Sequence, residues 1–241
     1  METLIKNYHG IRNLPKELDI FPEDTLRLLA RRDYTGIISK VSSHTTNNEE
    51  LFLRGIANLK LCKWRDATKD FVQCTLRPNL SGVAYKMLGY LNFLLSQYTQ
   101  AYSYYQRALK GFESQEDQTG VASTMVEIAN VYSREARWED ARKYASDAFK
   151  MGLQQGNDLL CGICYLSLAK LFFYKSDPDR SLTYCQNCLR IFERHQYEDG
   201  LADVYVTMGN LYSTLEKRGE ALAYYNKGLE IATRIKDLLQ I

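Results

Sequence analysis

The chain has 241 residues, of which 45% are hydrophobic and 25% are charged, the ordinary balance of a folded protein. Its formal net charge of +2 is too small to indicate binding to nucleic acid or to an anionic membrane surface. The start METLIKNYHG has no apolar leader region, and no apolar run approaches the roughly 20 residues of a membrane-spanning helix. We therefore expect a soluble, cytoplasmic protein whose six cysteines are reduced thiols.

The N-terminal part of the chain, up to Asn48, carries the weakest pattern. Residues 1–20 include Pro15 and have no clear period, which predicts an irregular lead-in. Residues 21–48 contain FPEDTLRLLARRDYTGIISKV, whose apolar spacing predicts one degenerate helix pair with Tyr34 and Ile37 at its turn. We therefore expect the regular architecture to begin at residue 49.

From residue 49 onward, small residues recur at fixed intervals. Five of them follow polar turns, at intervals of 34 and then three times 40: Ala67, Ala101, Ala141, Ser181 and Ala221. Twelve positions before each of these lies a second small residue: Gly55, Gly89, Ala129, Ala169 and Gly209. Small residues at both positions let two antiparallel helices approach closely, so we expect Gly89 and Ala101 to face each other. The pattern predicts an all-α chain, since no stretch shows strand-type alternation.

Larger residues around the small ones complete a recognisable pattern, W-x2-L-G-x2-Y followed by A-x3-F. The first-helix halves read MLGYLN, EIANVY, SLAKLF and TMGNLY. Over residues 49–241 the chain resembles the tetratricopeptide repeat family, with copies at about 49–80, 81–118, 119–157, 158–198 and 199–241. The resemblance implies a right-handed superhelical array of antiparallel helix pairs, a tetratricopeptide solenoid. The period of 40, longer than the usual 34 or so, is similar to that of adaptors in cell-polarity, receptor-clustering and kinesin-cargo systems, in which the extra residues lengthen the second helix.

Four cysteines form two C-x2-C pairs, CGIC and CQNC, spaced like the ligands of a zinc site: Cys161, Cys164, Cys185 and Cys188. The repeats offer another explanation, because Cys185 and Cys188 stand where other copies have core residues. Free cysteine is among the most often buried residue types. We predict that these cysteines pack in the core, and a zinc-binding or redox-sensing site remains the alternative.

No set of residues indicates an enzyme. The three histidines, His9, His44 and His195, lie in the lead-in or in linkers, so no histidine is paired with a nucleophile on rigid elements. Phosphate-binding loops, dinucleotide fingerprints and zinc-protease motifs are absent from the sequence. We therefore predict a protein without catalytic activity and without a cofactor.

The first helices of a stacked array line an extended concave surface. Four positions on that surface recur with the period of the repeat and predict a row of side chains that can hydrogen-bond a peptide: Tyr90, Asn130, Lys170 and Asn210. Lys86 and Arg134 are expected to add positive charge, and Phe93 and Phe173 to add apolar anchors. The predicted ligand is a segment of a partner protein that mixes acidic and bulky apolar residues.

Three functions from different classes therefore stand open. The first is a non-catalytic scaffold or adaptor that binds a protein partner, without nucleic-acid binding or membrane insertion. The second is a structural module, or a fragment of a larger protein, that associates with itself through its apolar ending IATRIKDLLQI. The third is the zinc or redox protein. We favour the first, because the groove residues recur with the repeat.

Overall fold

The computed structural model describes residues 23–42 and 45–237, and this part of the chain contains helices and turns but no strand. The expected lead-in of residues 1–20, with His9, and also His44, lie outside the described residues. The helices of the described residues are α1 (Glu23–Ala30), α2 (Tyr34–Lys40), α3 (Asn48–Lys60), α4 (Trp64–Cys74), α5 (Pro78–Leu94), α6 (Tyr98–Ser114), α7 (Gln118–Arg134), α8 (Trp138–Gln154), α9 (Asp158–Tyr174), α10 (Pro178–Arg194), α11 (Glu198–Thr214) and α12 (Arg218–Asp237).

The chain divides into two compact units, one that ends at Thr124 and one that spans Met125–Asp237. In the first unit α1 packs on α2, α3 on α4, and α5 on α6. In the second unit α9 packs on α10 and α11 on α12, while α9 also contacts α8 and α11 also contacts α10. Consecutive helices thus pack in pairs, which confirms the predicted all-α fold of the tetratricopeptide solenoid type.

The helices of the later pairs are uniform in length. Each helix from α5 to α11 has 17 residues. A turn of constant length, such as Leu95–Gln97 after α5, separates each of them from the next helix. Helices α3 and α4 are shorter, with 13 and 11 residues. The lengthening is therefore shared by both helices of a pair, and the expectation that it falls on the second helix is wrong.

Each of these short turns holds one residue in the left-handed backbone region. In the turn after α7, Ala136 has φ 58°, and the N–H of Arg137 donates to the carbonyl oxygen of Tyr132 at 2.9 Å. This bond closes the end of the helix in the way that favours glycine at the left-handed position. Gly156 (φ 61°) meets that preference, whereas Ser96 (φ 59°) carries a side chain into the same conformation. The short turns thus require a residue with positive φ, and in several of them a residue other than glycine adopts this strained conformation.

Helix pairs pack through matched side-chain volumes. In one pair the hydroxyl of Ser181 donates to the carbonyl oxygen of Ala169 at 2.9 Å, so the two small positions do lie in contact. In another pair, a Cβ built on Gly89 would lie 2.5 Å from the ring of Tyr105. The missing side chain of Gly89 thus leaves room for this buried ring, and the contact between Gly89 and Ala101 stays a prediction.

The same matching of side-chain volumes holds in all five pairs. It becomes visible when each small residue on the first helix is compared with the residue sixteen positions after it. Glycine on the first helix goes with an aromatic ring, and alanine goes with a small residue: Gly55 with Phe71, Gly89 with Tyr105, Gly209 with Tyr225, Ala129 with Ala145, and Ala169 with Cys185. Cysteine at position 185 therefore fills a space that the methyl group of Ala169 has made too small for a ring.

A buried ion pair joins the helices of the first regular pair. The guanidinium of Arg54 on α3 donates to both carboxylate oxygens of Asp70 on α4, at 2.7 and 3.1 Å. The amide of Asn58 donates to the same carboxylate at 3.1 Å. Asp70 is only 4% exposed, so its charge depends on these two donors, and they fix how α3 lies on α4.

Candidate functional site

In the first unit, the predicted groove residues lie on α5. Lys86 is only 1% exposed, and its Nζ donates to the hydroxyl of Ser123 at 2.7 Å. The expectation that Lys86 offers positive charge to a ligand is therefore wrong, because its amine is enclosed between helices. Tyr90 lies at the surface, and the half-buried ring of Phe93 packs against Tyr98 with centroids 5.8 Å apart. Of the three predicted groove residues in this unit, the two aromatic ones are therefore those that a ligand can reach.

In the second unit, Asn130 is held by two internal hydrogen bonds. The hydroxyl of Ser167 on α9 donates to its Oδ1 at 2.8 Å, and its Nδ2 donates to Glu127 at 3.3 Å. One of the two lone pairs of the amide oxygen is thus occupied, while one N–H of Nδ2 has no bond with either of these residues. Asn130 therefore braces α7 against α9 and presents a donor to a ligand.

Arg134 lies one turn beyond Asn130 and contacts an aromatic ring. Its guanidinium carbon is 5.2 Å from the ring centroid of Tyr174, and NH1 donates to the Tyr174 hydroxyl at 3.0 Å. The ring of Phe173 meets Tyr174 edge-on, with centroids 5.5 Å apart. Stacking on a ring reduces the freedom of an arginine, so Arg134 is oriented before any ligand arrives.

Lys170 and Asn210 continue the row on α9 and α11. Lys170 Nζ donates to the carboxylate of Asp203 on α11 at 2.8 Å, in a pair that stays partly exposed. Asn210 is exposed, and its Oδ1 accepts the hydroxyl of Tyr225 at 2.7 Å. The positive charge of Lys170 is therefore largely balanced, whereas the N–H groups of both residues remain partly unused.

We call Asn130, Lys170 and Asn210 the donor row. Each of them has an internal partner: both asparagine oxygens accept a hydroxyl, and Asn130 Nδ2 also donates to Glu127. The repeat period predicted that these residues share one position, but it gave no sign of these internal bonds, of which two join neighbouring first helices and one joins α11 to α12. Those bonds leave a surface that hydrogen-bonds mainly as a donor, which selects acceptors in a ligand.

The four cysteines of the two C-x2-C pairs are buried in the second unit. Burial raises the pKa of the Cys185 thiol to about 12, and it also raises the pKa of Cys188. The thiol of Cys188 donates to the carbonyl oxygen of Cys185 at 3.1 Å. Within residues 23–42 and 45–237, no group of three or more His, Cys, Asp or Glu side chains is placed to hold a metal ion. Cys161, Cys164, Cys185 and Cys188 thus pack as apolar side chains.

His195 is the histidine that lies within the described residues. Its Nε2 is 3.9 Å from the carboxylate of Asp158, which also accepts a hydrogen bond from Arg194 at 3.2 Å. The group joins the beginning of α9 to the end of α10. Among the described residues its neighbours are the charged groups Asp158 and Arg194, and its buried Nε2 makes no hydrogen bond with a serine or a cysteine.

Solved structures similar to this chain are helical arrays. A Rap protein complexed with competence and sporulation factor aligns with a TM-score of 0.75 at 13% identity, over 98% of this chain and 77% of that one. The Cut9–Hcn1 hetero-tetramer of APC/C aligns with a TM-score of 0.69 at 19% identity, over 99% of this chain and 47% of that one. BtubC from P. vanneervenii aligns with a TM-score of 0.57 at 17% identity, over 98% and 92%. At these identities the likeness shows the fold.

Three further findings concern curated proteins, membrane spans and family models. No curated protein matches the chain. Among the helices that the structure describes, none combines the length and apolar content that crossing a membrane requires. The sequence model of the tetratricopeptide repeat family matches residues 80–154 and 163–234. Because these two stretches span more than half of the 241 residues and repeat the helix pairs described above, the chain belongs to the tetratricopeptide repeat family.

Proposed function

We propose that this chain is a cytoplasmic, non-catalytic interaction scaffold of five repeats, over residues 49–241, and that α7, α9 and α11 present the donor row to an extended segment of a partner protein. The observation that carries the proposal is the internal bonding of the two asparagines. Ser167 and Tyr225 each donate to the oxygens of Asn130 and Asn210, so the groups left for a ligand are mainly N–H donors. An extended peptide supplies carbonyl oxygens at regular spacing, which is the complement of such a row.

Charge and aromatic groups beside the donor row add to its selectivity. Arg134 is oriented by Tyr174 and can take a carboxylate of the ligand in two parallel hydrogen bonds. Lys170 contributes less to charge than the sequence predicts, because Asp203 lies 2.8 Å away. The ligand that fits is therefore an extended segment with an acidic residue near Arg134 and a bulky apolar residue near Phe173.

Family membership supports a protein partner. The fold is an array of helix pairs, and such arrays offer long concave surfaces for binding. Two of the similar structures are named as complexes with another component, competence and sporulation factor in one and Hcn1 in the other. We extend only the general property to this chain, which is that it binds a polypeptide.

The test uses peptides selected from a random library for binding to the purified chain. Affinity of the best peptide is measured by calorimetry for the wild type and for the double variant Asn130→Ala, Asn210→Ala. Each lost amide contact is expected to cost on the order of 1 kcal/mol, so the double variant should bind roughly ten- to thirtyfold more weakly. Raising the salt concentration should also weaken binding if Arg134 meets an acidic residue.

A matched control is Asn226→Ala, since Asn226 is an exposed amide on α12 that takes no part in the donor row. Its affinity should equal that of the wild type. Melting temperatures of all variants separate lost contacts from lost folding. Unchanged affinity in a folded double variant would show that the partner binds elsewhere.

A further inference from the structure

The last helix pair of the described residues exposes apolar side chains along one face. On α12, Leu222 is 61% exposed, Tyr225 is 36% exposed and Leu229 is 65% exposed. Their spacing of three and four positions places them on one stripe. Val206 on α11, 45% exposed, adds a fourth apolar side chain of the same pair. We call these four residues the terminal face.

The equivalent face of the preceding pair, one repeat earlier, is largely covered by a helix. Cys185 and Phe192 on α10 are fully buried, and Leu166 on α9 is 3% exposed. Leu182 and Leu189, which correspond to Leu222 and Leu229, are half-buried. The cover is the beginning of α11: the ring of Tyr197 lies 5.0 Å from that of Phe192, and a Cβ on Gly200 would lie 2.9 Å from Phe192. Within the second unit, this type of surface therefore receives an α-helix.

The size of the terminal face decides between one helix and a second copy of the chain. Four partly exposed side chains form a patch no larger than the roughly 300–600 Å² that an ordinary monomer exposes, and this is below the roughly 800 Å² per partner of a stable protein interface. A single amphipathic helix needs only such a narrow stripe, with anchors at positions i, i+3 and i+7. The area thus favours one helix over a stable dimer.

One difference between the two pairs indicates which side chain the covering helix has at one position. The residue equivalent to Phe192 is Ala232, which is exposed. On α10 the large ring of Phe192 leaves room only for Gly200 in the covering helix. On α12 that ring is missing, so the covering helix has space for a large apolar side chain at the position where α11 has glycine.

We propose that the terminal face binds one amphipathic helix of a partner protein, laid along α12 as α11 is laid along α10. The helix contributes an apolar stripe to Leu222, Tyr225 and Leu229, and a bulky apolar residue opposite Ala232. This site is separate from Asn130 and Lys170, although Tyr225 also bonds Asn210 of the donor row, and binding there requires no extended peptide.

The test uses a fluorescent synthetic peptide with the sequence of residues 197–214, which includes the helix that covers the equivalent face. A second peptide carries Gly200→Leu and places a large side chain opposite Ala232. Binding to the full chain is followed by fluorescence anisotropy. Both peptides are expected to bind, and the Gly200→Leu peptide should bind at least fivefold more tightly. Equal binding of the two, or weaker binding of the second, would overturn the role given to Ala232.

Chain variants locate the binding. Leu222→Glu with Leu229→Glu should weaken binding of both peptides at least tenfold, because the charges enter the apolar stripe. The control is Leu76→Glu just after α4, where Leu76 is 82% exposed and lies in the first unit; it should leave binding unchanged. Circular dichroism verifies that each variant is folded. Binding that survives the double variant, or no binding to the wild type, would overturn the proposal.

Two further measurements distinguish this proposal from binding at the donor row and from dimer formation. Lys170→Glu is expected to leave the helical peptides bound, even if it impairs the donor row, so the two proposals can fail independently. Sedimentation of the chain alone should show a monomer. A dimer that Leu222→Glu dissociates would identify a second copy as the occupant and would overturn the assignment to a partner helix.

Discussion

Replacing Gly89 by alanine tests the volume rule of the helix pairs. The new Cβ would lie 2.5, 2.6 and 3.0 Å from three atoms of the Tyr105 ring, which is fully buried. Ordinary contact begins near 3.4 Å, so the buried ring has to shift by up to about 0.9 Å to restore it. Overpacking of this kind costs about 3 kcal/mol, and the better helix propensity of alanine returns about 1 kcal/mol. We expect Gly89→Ala to lower the free energy of unfolding by about 2 kcal/mol.

Gly209 provides a control inside the same chain. Its Cβ would meet the Tyr225 ring at the same three distances, but Tyr225 is 36% exposed and can swing outward. The overpacking cost should then be about 1 kcal/mol and cancel the gain in helix propensity. Gly209→Ala is therefore expected to leave stability within about 0.5 kcal/mol of the wild type.

Urea denaturation followed by circular dichroism measures both variants. A third variant, Gly89→Ala with Tyr105→Cys, copies the combination found at Ala169 and Cys185. It should regain part of the stability lost by Gly89→Ala alone, because the ring that clashes is gone. The reasoning fails if Gly89→Ala and Gly209→Ala are equally destabilising, or if Tyr105→Cys adds its own loss in full to that of Gly89→Ala.

Three more outcomes follow from features of the fold. Ala136→Gly should raise the free energy of unfolding by about 1 kcal/mol in urea titrations, and Gly156→Ala should lower it by a similar amount, because both residues have positive φ. Arg54→Ala should cost about 3 kcal/mol in the same assay by leaving the buried Asp70 carboxylate without its main partner; a loss under about 1 kcal/mol would contradict this. A thiol reagent at pH 8 should modify the exposed Cys62 quickly and the five buried cysteines only after unfolding. The free energy of unfolding should also fall as the pH rises from about 8.5 towards 12, because the thiols of the unfolded chain ionise in this range while the buried thiols stay protonated.

The sequence predicted the fold well because its main determinant is local. A small residue once in each repeat, with a second one twelve positions earlier, specifies which helix faces meet, and this requires no knowledge of distant contacts. The burial of Cys185 and Cys188 followed from the same spacing. Even the match between glycine and aromatic residues could have been found, since each ring lies sixteen positions after its glycine.

The candidate site was less predictable. Lys86 looked like a surface charge, although Val126 and Leu166 at the equivalent positions are apolar and buried, and that comparison would have corrected the expectation. The bonds of Asn130 to Ser167 and of Lys170 to Asp203 depend on how far one first helix lies from the next. A repeat period contains no measure of that distance. Side-chain partners across helix pairs therefore had to come from the structure.

The uniform helices and turns constrain how such a chain can change in length. One residue added inside a helix such as α9 would turn everything after it by about 100° and advance it by about 1.5 Å, so small residues would lose their facing partners. Adding or removing a single helix with its turn would place every later first helix where a second helix belongs, and the reverse. Removing a whole pair with its turns, such as residues 158–197, rejoins two equivalent turns and leaves every remaining face in place. Viable length variants of this array should thus differ by whole pairs, and each step would lengthen or shorten the donor row by one member.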